Sequence, residues 1–160
     1  VAPDQIDCIT VRTYADALKF CDRPAPATVI EAKFSLQHSV ATTLIRGAPA
    51  LEDFSTDSIQ APDLSALRAK VEVEIGVDYQ DRYPARFGAE VSANGETVIM
   101  ADALGDPENP VADAQLVGKA KNLMLAGGLS AESSQALSAM VMRDDMSIGE
   151  LMPRLREVLT

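Results

Sequence analysis

Four side chains early in the chain, Arg23, Lys33, Gln37 and His38, are of the types that hold carboxylates by charge and hydrogen bond. Arg23 sits in a turn stiffened by Pro24 and Pro26, just ahead of a helix start. There a rigid guanidinium and the positive end of a helix dipole could converge on an anion. Pairing of Arg23 with Asp22 or Glu31 is the equal structural alternative. Lys33 and Gln37 are about one helical turn apart, and at about 100° per residue both project into an apolar arc formed by Val29, Ile30, Phe34, Leu36, Val40, Ala41, Leu44 and Ile45. Two states of Lys33 stay open: its stem covers the core while the ammonium reaches water, or it lines a pocket for carboxylates with Gln37 as hydrogen-bond partner. His38, at the edge of that arc, is either a satisfied boundary histidine or a further contact. Ser35, Ser39, Thr42 and Arg46 form the opposite face and are expected in solvent.

Other chemistries find no support. With a single histidine and two cysteines that lack ligand spacing, a structural zinc site is not expected, and no partner for a Ser/His/Asp set can be placed. Neither G-x-G-x-x-G nor a Walker spacing occurs, so nucleotide binding has no cradle. Cys8 and Cys21 lack CxxC spacing; a reduced cytoplasmic pair is expected, with a disulfide between them as the alternative. The 160 residues carry 14 Lys and Arg against 24 Asp and Glu, a net charge of −10, so neither nucleic acid nor an anionic membrane surface is an expected partner. No apolar run approaches the roughly 20 residues of a spanning helix. With no Trp, the core must be packed by aliphatic residues; the methionines at 124, 140, 142, 146 and 152 are expected to fill helix interfaces.

The elements that must position the four side chains begin with a strand over 6–13 and a short helix or turn over 14–20. Thr28 and Glu31 form a capping box, and Gly47 ends the pattern, so the spacing predicts one helix over 28–46. Residues 48–61 read as an irregular or short helical link around Leu51 and Phe54. A helix over 62–70 starts on Pro62, and 71–75 alternates as a half-buried strand. Residues 78–86 read as a polar loop. Segments 87–93 and 96–103 flank Asn94-Gly95, the signature of a two-residue hairpin turn. A turn-rich loop over 105–110 precedes helices over 112–126 and 131–142, and a box at Ser147 and Glu150 opens a last helix to about 158. The expectation is a single α+β domain over 1–160: an antiparallel sheet of about four strands with helices on one face, a two-layer sandwich. The strand pattern begins within a few residues of Val1, which reads as a piece of a longer polypeptide.

The run Glu31-Ala32-Lys33-Phe34-Ser35-Leu36-Gln37-His38, preceded by Cys21-Asp22-Arg23-Pro24, resembles the C-terminal domain of the MmgE/PrpD family. The resemblance continues through 70–73, Tyr83-Pro84-Ala85-Arg86-Phe87 and Gly105-Asp106-Pro107-Glu108-Asn109-Pro110, covering essentially the whole chain. It implies the smaller α+β lid of a two-domain, homodimeric cytoplasmic protein whose helical N-terminal domain carries most of the catalytic residues. It also implies a dehydratase-like lyase or isomerase, free of metal or organic cofactor, acting on a small polycarboxylate such as 2-methylcitrate. Under it Arg23, Lys33, Gln37 and His38 are expected substrate contacts, Arg23 first and Lys33 second. Phe20 joins them, standing where the decarboxylase branch has a catalytic tyrosine, which puts decarboxylation in doubt. Asp106 and Asn109 receive no role beyond shaping their loop. The alternative from another class is a free-standing regulatory domain that binds a small molecule.

Overall fold

Two β-branched runs form one side of the sheet. Strand β1 is Ile9–Thr13 and β2 is Val71–Ile75; they pair in parallel, Ile9 opposite Val71 and Thr13 opposite Ile75. The hairpin strands β3 (Ala89–Ala93) and β4 (Glu96–Met100) add antiparallel on the other side, giving the order β2-β1-β3-β4. The computed structural model describes residues 5–142 and 146–159, which group into two compact units, 1–109 and 110–160.

The first unit is α+β as expected, but its sheet is mixed rather than antiparallel. A parallel pair needs a long crossover. That crossover is α1 (Ala15–Cys21), α2 (Val29–Lys33), α3 (Leu36–Arg46), a short 3-10 helix at Leu51–Phe54, α4 (Thr56–Gln60) and α5 (Pro62–Arg68). Ile9, Val11 and Val71 form one core with Ile6, with Ala41 of α3 and with Leu64 and Leu67 of α5. Strand β1 starts at Ile9 rather than Ile6, although Ile6 is itself buried. The other face of the sheet is polar: Arg12 donates to Glu74 at 3.1 Å and to Glu90 at 3.0 Å. Helix α6 (Val77–Arg82) replaces the loop expected over 78–86. Its anchor is Tyr79, buried and donating to Glu90 Oε2 at 3.1 Å. Gly76 lets the ring come this close, for a Cβ there would stand 2.6 Å from Tyr79 Cδ2.

At Asn94-Gly95 the φ angles are 52° and 82°, as a type I′ hairpin turn requires. The capping box also forms: Glu31 N donates to Thr28 Oγ1 at 3.2 Å, and Glu31 Oε2 accepts from the Thr28 amide. Gly47 ends α3 at φ 89°.

The helix expected over 28–46 is broken, however. Ser35 is extended and caps a second helix, accepting from the His38 amide at 2.9 Å while donating to the Arg23 carbonyl at 2.6 Å. A serine hydroxyl that can satisfy two backbone groups competes with helix continuation. The break reorients the amphipathic arc. Ile30 is 71% exposed, and Val29, Phe34 and Leu44 are exposed too. Ser35 and Thr42, expected in solvent, are buried with Gln37, His38 and Ala41.

The second unit consists, among its described residues, of α7 (Asp113–Ala126), α8 (Ala131–Val141) and α9 (Ile148–Leu159). Ser130 caps α8, and Ser147 and Glu150 form the box at the start of α9. Lys121 of α7 donates to Gln135 of α8. Met142 and Met152 are exposed, not the filler that helical spacing implied. No described helix is long and apolar enough to cross a membrane.

Candidate functional site

Helix α1 ends at Cys21, and Arg23 turns back over that end. Its Nε donates to the Phe20 carbonyl at 3.2 Å, where a cation also suits the negative end of the helix. Arg23 lies on the surface, and its charge helps hold the Glu31 carboxyl below its usual range, behind the larger effect of the Ala27 amide. The Arg23 main chain is fixed from below. Gln37 Oε1 accepts the Arg23 amide at 3.1 Å, Gln37 Nε2 donates to Asp22 Oδ1 at 2.6 Å, and Ser35 takes the Arg23 carbonyl. Gln37 is buried, so it presents the Asp22-Arg23 turn rather than its own amide.

Phe20 is 54% exposed and forms part of the wall of a hollow of about 430 Å³. Much of that wall is aromatic. Tyr14 and Tyr83 stack with centroids 4.5 Å apart, and Phe87 meets each edge-on at 5.7 Å. Leu36, Met100 and small alanines complete it. Two pairs of polar wall groups are spent on each other: Tyr83 donates to Asp16 at 2.8 Å, and Thr13 Oγ1 to the Gly88 carbonyl at 2.9 Å. Burial, with Cys21, Asp106 and Asp16 nearby, pushes the Tyr14 hydroxyl above its usual range and keeps it protonated. Lys19 brings a second cation to Phe20, its Nζ 5.2 Å from the centroid of the ring. Sequence reasoning missed Lys19, Tyr14 and Tyr83. The pairing of Lys19 with an adjacent aromatic was the available signal for the first, whereas the two tyrosines meet only through the fold.

Lys33 is exposed at the end of α2 and is not part of that wall. Its cost in an apolar face therefore does not arise, because the face around it is itself in solvent.

His38 is fully buried, at 0% exposure. Nδ1 is 3.1 Å from Arg68 Nη1, and Nε2 is 2.7 Å from the Asp53 carbonyl oxygen. Arginine can only donate, so Nδ1 accepts and Nε2 carries the hydrogen. Both ring nitrogens are thus engaged within the fold, and Phe54 packs on the ring at 5.6 Å. Arg68 is buried with no described carboxylate on it, and its Nε is unsatisfied; burial pulls its pKa below the usual value.

Asp53 binds the Ala50 amide at 2.8 Å and Arg46 Nη1 at 2.9 Å. The Ala50 N–H first, and then Arg46, hold its carboxyl below the ordinary carboxylate range despite burial. A depressed folded pKa contributes stability that is complete above the unfolded value and is lost as pH falls through the folded one. Asp53→Asn should therefore lower stability at neutral pH and flatten its decline below about pH 4, measured by urea denaturation at several pH values. An unchanged acid limb would show that another carboxylate sets it.

The loop Gly105–Asn109 is a buckle. Asp102 accepts from Arg82 at 3.3 Å and Arg86 at 2.7 Å, while Asn109 Nδ2 donates to the Asp102 carbonyl at 2.9 Å. The Asn109 amide donates to the Asp106 carbonyl at 2.9 Å. These bonds tie the end of β4 to the segment that carries Tyr83 and Phe87. Cys8 and Cys21 are both free thiols. Among the described residues no group of three or more His, Cys, Asp or Glu is placed to hold a metal ion.

Compared with known proteins, residues 1–145 match the family model described as the MmgE/PrpD C-terminal domain. No curated protein matches the chain.

Proposed function

Since this chain belongs to the MmgE/PrpD family through its C-terminal domain, we propose that it is the lid of a two-domain, homodimeric cytoplasmic enzyme. The enzyme is a dehydratase-like lyase or isomerase, and its substrate is a small polycarboxylate such as 2-methylcitrate. Removal of a proton next to a carboxylate drives negative charge onto that carboxylate, and the barrier falls where fixed cations meet the developing charge. No cofactor is required for that step. The base belongs to the helical N-terminal domain, and this chain contributes cations.

The observation that carries this reading is that Arg23 bonds the Phe20 carbonyl and Lys19 stands over the Phe20 ring, while Phe20 itself lines a hollow whose wall holds no cation. Lys33 is the further contributor, exposed and free to turn toward a partner domain. Gln37 and His38 serve as positioning residues: Gln37 sets the Asp22-Arg23 turn, and His38 fixes the start of α3 against Asp53 and Arg68. Phe20 supplies the edge on which both cations rest.

The test is turnover of 2-methylcitrate, with loss of water, by the full-length protein and by the 160-residue chain alone. Activity is expected from the first without added metal or cofactor and absent from the second. Robust turnover by the chain alone, or none of any small polycarboxylate by the full-length protein, overturns the reading.

A further inference from the structure

We infer that the aromatic hollow beside Phe20 receives a hydrocarbon arm of the substrate, so that the preferred polycarboxylate bears an alkyl group longer than methyl. The inference rests on the proposed function and adds the substrate class. Carbon faces of Tyr14, Tyr83, Phe87, Phe20, Leu36 and Met100 form most of the wall. A carboxylate entering there would lose water without gaining a cation, and would approach Asp16, whose charge is already bound by the Tyr83 hydroxyl. The cations stand outside. Arg23 is tied to the carbonyl of Phe20, and Lys19 lies over its ring. One orientation suits both sets of side chains, with carboxylates on Arg23 and Lys19 beside Phe20 and hydrocarbon inside the hollow. The volume, about 430 Å³, is far larger than a methyl group requires.

The test is a homologous series in which the full-length enzyme is given citrates carrying methyl, ethyl, propyl and butyl arms at the same carbon. Burying each added methylene should raise kcat/KM by about two- to fourfold through the propyl member. Ala17 is on α1 and lines the hollow. Ala17→Leu keeps a good helix former while filling space, and it should reverse the order, the propyl compound losing at least about tenfold relative to methyl. Turnover of the methyl compound with a flat or falling series overturns this inference and leaves the proposed function standing. A rising series that Ala17→Leu does not alter also overturns it, because the arm then lies elsewhere. No turnover of any member overturns this inference, and the proposed function falls with it only when no other small polycarboxylate is turned over either.

Discussion

His38→Ala should cost about 3–5 kcal/mol of folding stability, a large part of what a domain of this size possesses. Two losses add. The first is a cavity at a fully buried site, where Phe54 loses its ring partner. The second is electrostatic: Arg68 Nη1 gives up one of its two acceptors, keeping the Ile59 carbonyl at 3.0 Å, while its Nε is already unsatisfied. A buried cation stripped of partners costs more than a neutral group in the same state. The Asp53 carbonyl loses its donor as well. Arg68→Met provides the contrast. It removes the desolvated charge itself and orphans only a neutral ring nitrogen and one carbonyl, so it should cost less than His38→Ala. Urea denaturation of both variants measures the difference. A loss under about 1 kcal/mol for His38→Ala, or a larger loss for Arg68→Met, would mean that the histidine does not anchor this network.

Under the proposed function, Arg23→Ala in the full-length protein should reduce kcat/KM by about tenfold to a hundredfold, the scale of one charge-assisted contact in the transition state. The fold should be nearly untouched. The bonds that shape the turn use the Arg23 amide and carbonyl, which alanine retains toward Gln37 and Ser35. Only the surface bond from Nε to the Phe20 carbonyl is lost, and exposed substitutions of this kind usually shift stability by under about 0.5 kcal/mol. Arg23→Lys should recover part of the activity, since it keeps the charge but not the forked donor geometry. Wild-type kinetics from a folded Arg23→Ala variant would reduce Arg23 to a cap on α1.

Gln37 and His38 show why the site was only partly legible in the sequence. Both were visible as polar residues on an apolar arc, but the arc assumed an unbroken helix over 28–46. Ser35 ends that assumption with a bond to the Arg23 carbonyl, twelve positions back in the chain, and no local periodicity reports a partner at that distance. Once the helix restarts at Leu36, Gln37 and His38 turn into the fold, while Lys33 and its apolar neighbours turn out. The turn that holds Arg23 was legible because its prolines are written in adjacent residues. The hollow was not, because its walls come from α1, the start of α3, the 83–89 segment and β4.

By itself the sequence determined whatever is decided within about four residues. The Thr28 and Glu31 box, the Asn94-Gly95 turn, Pro62 at the first position of α5 and the serine starts of α8 and α9 all formed where side chain and backbone meet locally. The same local blocks carried the family resemblance. Tertiary structure alone decided that β1 and β2 run parallel, that 77–82 is helical around Tyr79, and that Ser35 interrupts a helix. Each of those outcomes depends on a group far away in the chain, whose contribution exists only after the intervening segment has closed.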